Sequence, residues 1–238
     1  MLTVDLTALE LSPGSKVLDV GCGEGRHLHG LYREPVHAFG LELSREAAHQ
    51  ALQGCRECFS LPGARVVHWA VLQGTCLQLP FPDESLEVVI CCEVLEHLAD
   101  YQGALQEMRR VLRPGGRLAV SVPRFMPERV CWALCRDYSS EPGGHVRIFK
   151  AGALRQEIEA LGFGFIRQSH SHALHTCYWW LKCLRWKKRD TWLPIRLYHR
   201  LLVWDILKAP KGMRLLEGML NPLLGKSVAL YFTKVAQA

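Results

Sequence analysis

The stretch Val17-Leu-Asp-Val-Gly-Cys-Gly-Glu-Gly25 decides how the chain folds. Lys16–Val20 reads as a buried strand that runs straight into three glycines at alternate positions, Gly21, Gly23 and Gly25. Glycine lacks a Cβ, so the backbone there can turn tightly and lie close to a ligand. Helical patterning follows over Gly25–Arg33. Strand, glycine turn and helix together place a ligand at the carboxyl edge of a parallel sheet.

Outward from this unit the same alternation continues. Strands are predicted at His37–Leu41, Ala64–Trp69, Leu86–Cys92, Arg117–Val122, Phe163–Gln168 and Ser227–Lys234. Helices are predicted at Arg45–Gln53, with Ser44 as N-cap, at Tyr101–Leu112 and at Ala151–Leu161. Arg113-Pro-Gly-Gly116 reads as a turn. Repeated strand–helix units predict an α/β fold with a mostly parallel, Rossmann-like sheet covered by helices on both faces. Residues 171–225 break the alternation with about three helices and no strand. The expected organisation is one domain over residues 1–238, with 171–225 as a helical cap inserted before the last strand.

With 238 residues, 49% of them hydrophobic, the chain can bury one large core. No segment approaches the ~20 apolar residues of a membrane-spanning helix, and no leader pattern opens the sequence, so a cytoplasmic protein is expected. The ten cysteines are expected to be free thiols, because Cys55-Arg-Glu-Cys58 has no second pair at zinc spacing. Charge is uneven. Residues 1–170 hold 17 Lys+Arg against 20 Asp+Glu, whereas 171–238 hold 12 against 3. That basic tail also holds Trp179, Trp180, Trp186, Trp192 and Trp204, five of the seven tryptophans.

The second signal at the site is Glu42, which ends the next strand 21 residues after Gly21. A carboxylate there accepts the two hydroxyls of a ribose, so the ligand is expected to contain adenosine. A dinucleotide fold would prefer a third glycine where Arg26 stands, and the carboxylates Asp19 and Glu24 repel a pyrophosphate. They suit S-adenosylmethionine, which has no phosphate and carries sulfonium and ammonium charges.

Further segments follow in order: Gly74-Thr-Cys-Leu-Gln-Leu-Pro-Phe-Pro-Asp83, Glu93-Val-Leu-Glu-His97 and Val111-Leu-Arg-Pro-Gly-Gly-Arg117. With the glycine turn they resemble the motifs of class I S-adenosylmethionine-dependent methyltransferases, in the group that includes quinone-biosynthesis methyltransferases. The resemblance covers roughly residues 14–170 and 227–235. It implies a seven-stranded sheet with an antiparallel last strand. It also implies that Asp19, Gly21, Cys22 and Gly23 hold the methionine end of the donor and that Glu42 and Leu43 lie at the ribose. Thr75 and Cys76 would flank the adenine, and Glu93 would stand near the reaction site. Where the family usually has Asp, this chain has Thr75, which accepts a hydrogen bond without charge assistance.

The expected activity is methyl transfer to a small-molecule acceptor. His145, in Gly143-Gly-His-Val-Arg147, is the candidate base, set against a reading as an ordinary loop histidine. No metal is expected. His170, His172 and His175 are read as a helix rim or pocket wall, because no carboxylate stands nearby in sequence. The basic, Trp-rich 171–225 segment would shape an apolar pocket or make a peripheral membrane contact; an ordinary helical subdomain is the plain alternative. No nucleic acid is expected as a partner. A non-catalytic scaffold that keeps the fold and a nicotinamide-dependent oxidoreductase remain as competing functions.

Overall fold

The computed structural model describes residues 2–139, 143–208 and 210–236. Its sheet strands are β1 (Lys16–Val20), β2 (His37–Glu42), β3 (His68–Gln73), β4 (Leu86–Cys92), β5 (Leu112–Pro123), β6 (Phe163–Ser171) and β7 (Ser227–Lys234). They lie in the order β3-β2-β1-β4-β5-β7-β6. Pairing is parallel from β3 to β5, and β7 runs antiparallel to both β5 and β6.

Neighbouring residues on a strand face opposite sides, so each central strand feeds two cores. Val17, Val88 and Ile90 pack with Leu28, Leu31 and Ala51 from α1 (Arg26–Gly30), its C-terminal turn and α2 (Arg45–Phe59). Leu18, Val20, Val89 and Cys91 pack on the other face with Leu105 and Met108 of α3 (Tyr101–Val111). Helices α4 (Phe125–Leu134) and α5 (Arg136–Ser139) follow β5, and α6 (Ala151–Ala160) precedes β6.

Between β6 and β7 stand α7 (Ala173–Leu184), α8 (Leu193–Lys208) and α9 (Lys211–Leu224). A third cluster ties α7 to α4: Cys131, Cys135 and Cys183 are buried beneath Tyr138, Trp179, Trp180 and Trp186. Trp180, half-buried, donates its indole N–H to the Pro127 carbonyl at 3.1 Å. Trp204 behaves differently. With Leu193, Leu197 and Leu201 it forms an exposed stripe on α8, and Leu207, Leu215, Met219 and Leu223 extend the exposed apolar surface along α8 and α9. No helix among the described residues is long and apolar enough to cross a membrane.

Candidate active site

The strand order reverses between β1 and β4, and a crevice opens at the carboxyl ends of such strands. A cavity of about 360 Å³ lies there. Its lining includes Gly21, Gly23, Glu42, Leu43, Thr75, Cys76 and Glu93 of the sequence-derived set. Val94, His97 and Leu98 join them from the turn after β4, with Leu41 and Gly74 beside Glu42 and Thr75.

The glycine turn depends on the absence of side chains. Gly21 has φ +66°, and a Cβ on it would stand 2.4 Å from a methyl of Val94. Its N–H donates to the Leu41 carbonyl at 2.8 Å, which fixes the turn against the end of β2. Glu42 closes the other side: Oε2 accepts from Gly23 N–H at 2.8 Å, and Oε1 accepts from Ser44 N–H at 2.9 Å. A carboxylate has about four lone-pair positions, so each oxygen keeps one for a further donor such as a sugar hydroxyl.

Asp19 and Cys22, expected at the donor, do not line the cavity, and neither does His145. Cys22 is buried, packed against Gly40 behind the turn. Asp19 lies beneath the turn at 1% exposure, and neither of its carboxylate oxygens has a hydrogen-bond partner. Burial pushes its carboxyl up to about 7, against the pull of Arg26 and with a further push from Glu42. A buried carboxylate without compensation is costly.

Thr75 Oγ1 accepts from Leu77 N–H at 3.2 Å, and the hydroxyl still has a hydrogen to donate and a second lone pair. Glu93 sits at the exit of β4 with φ +56°, a left-handed conformation that a non-glycine residue adopts only when its surroundings impose it. Those surroundings are on β5: Glu93 N–H donates to the Ser121 carbonyl, and its carboxylate accepts from Ser121 Oγ, both at 3.0 Å.

The loop bearing His145 is fastened to the same turn. Val146 N–H donates to the Glu96 carbonyl at 2.9 Å, and His97 Nδ1 donates to the Gly144 carbonyl at 3.2 Å. His145 Nδ1 lies 2.6 Å from Glu128 Oε1. Glu128 is buried on α4, yet the hydrogen bonds and charges around it, His145 foremost, hold its carboxyl below the usual range. An ionised Glu128 fixes the proton on Nδ1 and leaves Nε2 as the basic atom of His145. The His145 and His97 rings stand 5.0 Å apart, edge to face, so His145 adjoins the cavity through His97.

Glu128 was not singled out in the sequence, although a lone acid within the apolar run Phe125–Leu134 is its signal. Glu96 is fully buried with both oxygens unpartnered, and burial, then the Glu93 charge, drives its carboxyl well above the usual range. Glu96, His97 and His145 offer ligand atoms within 4.8 Å of one another, a set able to hold a metal ion.

The residues present fit S-adenosylmethionine. The unpartnered Asp19 lacks a cation, Glu42 keeps acceptor capacity for a sugar, and the glycine cradle would be filled by any Cβ on Gly21.

Residues 18–120 match the family model for a methyltransferase domain. A Mycolicibacterium smegmatis protein assigned as an S-adenosylmethionine-dependent methyltransferase is 32% identical over 63% of this chain and 52% of its own length. The demethylmenaquinone methyltransferase of Tropheryma whipplei is 31% identical over 47% of this chain and 43% of its own. The chain thus spans about half or less of the curated relatives it matches. A Bacillus halodurans structure assigned as a methyltransferase superposes with TM-score 0.65 at 16% identity, covering 97% of each chain, and shares the fold. By the match of residues 18–120, which carry its motifs, and by its fold, the chain is similar to the S-adenosylmethionine-dependent methyltransferases.

Proposed function

We propose that the protein transfers the methyl group of S-adenosylmethionine to a small, apolar acceptor. The observation that carries this reading is the buried, unpartnered Asp19 directly beneath a glycine turn whose cavity is closed by Glu42. When bound, the donor supplies an electrophilic methyl on a sulfonium. The protein's own contribution is placement. Glu42 and the turn hold the adenosyl part, and Thr75 and Cys76 lie where the base would rest. Asp19 favours a positive charge above it. Methyl transfer is an in-line displacement, so much of the rate comes from fixing the acceptor against the donor. His145, oriented by Glu128, is the group we assign to take a proton from an oxygen or nitrogen acceptor through Nε2.

The acceptor is read as apolar because the relatives include a demethylmenaquinone methyltransferase and because α8 and α9 expose leucines and Trp204. Twelve basic residues share that segment and the last strand, so the exposed face fits an anionic membrane surface as a peripheral contact.

Titration calorimetry with S-adenosylhomocysteine should give one site with micromolar affinity; no heat at millimolar ligand would favour a scaffold that keeps only the fold. Labelled donor incubated with a lipid extract should mark one compound class. Co-sedimentation should be stronger with vesicles containing phosphatidylserine than with phosphatidylcholine alone, and equal pelleting would remove the membrane contact.

A further inference from the structure

We propose that His172, His175 and Glu217, with Asp205 beside them, form a binding site for one divalent transition-metal ion of the zinc type. The site is separate from the donor cavity and does not depend on the reading of methyl transfer.

The helices between β6 and β7 are strongly basic. Residues 171–238 hold only three acids, Asp190, Asp205 and Glu217. Two of these are placed inside: Asp205 on α8 is 4% exposed and Glu217 on α9 is 6% exposed. Neither forms an ion pair or a hydrogen bond among the described residues, although Arg214 lines the same cavity of about 340 Å³. A segment with twelve Lys and Arg thus buries two of its three acids without pairing them to any of these among the described residues, an arrangement that favours a bound cation.

Two imidazoles meet these acids. His172, His175 and Glu217 offer ligand atoms within 4.8 Å of one another. Two ligands on one tetrahedral zinc stand about 3.4 Å apart, so modest side-chain rotation closes the set. His175 Nδ1 and Glu217 Oε1 are both buried without a partner. Thr3 Oγ1 lies 2.9 Å from His172 Nε2, a contact of the kind that orients a ligating ring from behind. The charges of Arg26 and Lys226 reach both rings, and the two buried carboxylates oppose them. The sequence hid the site because Glu217 stands 42 residues after His175. It becomes a neighbour only when α9 packs on α7.

The test uses the full chain after chelator treatment, titrated with Co²⁺ alone. One equivalent should bind with a visible absorption band of four- or five-coordinate cobalt, and Zn²⁺ should displace it. Glu217→Gln and His175→Gln should each weaken binding by at least about tenfold. His145→Gln, at the other histidine cluster, should leave it unchanged. Saturating Zn²⁺ should raise the Tm of the unaltered protein and not that of the Glu217→Gln variant. Circular dichroism and the heat of S-adenosylhomocysteine binding report whether each variant is folded. Glu217→Gln removes an unpaired buried acid and should fold; if it did not, His175→Gln carries the same test. Cobalt binding that survives both substitutions, that disappears in His145→Gln, or that is absent from the unaltered protein at millimolar ion would overturn the proposal.

Discussion

Replacing Asp19 by Asn should strengthen the ligand-free fold while weakening its hold on the donor. The carboxyl ionises near 3.8 in an unstrained setting and near 7 here, a rise of about three units. At about 1.4 kcal/mol per unit, that is about 4 kcal/mol. The sign follows from proton counting. Between about pH 4 and pH 7 the folded state holds a proton that the unfolded chain has lost, so stability falls as pH rises through this window. Above pH 7 the full cost of the buried charge is present. Asn removes it at pH 8, yet its amide meets the same unpartnered surroundings, which returns about 2 kcal/mol. The net gain of about 2 kcal/mol corresponds to a Tm rise of about 4–8 °C for a chain of this size.

Ligand binding should respond in the opposite sense. An ammonium over the glycine turn favours ionised Asp19, so binding releases a proton and the unaltered protein gains about tenfold in affinity from pH 6 to pH 8. Calorimetry with S-adenosylhomocysteine in buffers of different ionisation enthalpy reads the proton directly. Scanning fluorimetry at pH 8 reads the stability. The reasoning fails if Asp19→Asn binds with unaltered affinity and pH dependence, or if its Tm falls while the unaltered protein shows no pH dependence of binding.

Glu42→Gln should weaken S-adenosylhomocysteine by about 10–100-fold, because one half of the amide must present N–H to the Gly23 or Ser44 N–H; an equal Kd would remove Glu42 from the site. Thr75→Asp should tighten donor binding by about threefold or more through a charge-assisted hydrogen bond, and a looser Kd would put the adenine elsewhere. His145→Gln should lower kcat by about 100-fold while the affinity for S-adenosylhomocysteine stays within about twofold. An unchanged kcat would return His145 to a structural role.

Where apolar patterning and pairing agree, the sequence was legible. The predicted bounds of the first, fourth and last strands coincide with β1, β4 and β7. The strand predicted at Ala64–Trp69 lies instead at His68–Gln73. Val66, Val67 and Trp69 imitate a strand start, but pairing with β2 begins only where His68 meets His37. The turn predicted at Arg113–Gly116 is absorbed into β5, at the irregularity between Leu86 and Val88 on its partner strand. Helix α4 lies in a stretch for which no element is predicted; its Pro127 sits in the first turn, where a missing N–H costs nothing.

At the site, motif residues close in sequence reached the cavity together. The depth of Asp19 did not show, because burial beneath a turn depends on what packs over it in three dimensions. Leu193, Leu197, Leu201 and Trp204 recur at helical spacing, which marks a face but not its direction, and the structure turns it outward.

Ser171, the last residue of β6, pairs with Ser227, the first of β7. The three intervening helices therefore leave and rejoin the sheet at adjacent points, as a long hairpin loop would. Loop-closure entropy grows only slowly with length, by about 0.6 kcal/mol per doubling, so the sheet tolerates wide variation in what hangs there. A short linker from Ser171 to Ser227 could replace the whole insert and leave every strand register in place. Evolution, or an engineer, could thus exchange this module while the strands and the crevice between β1 and β4 stay as they are.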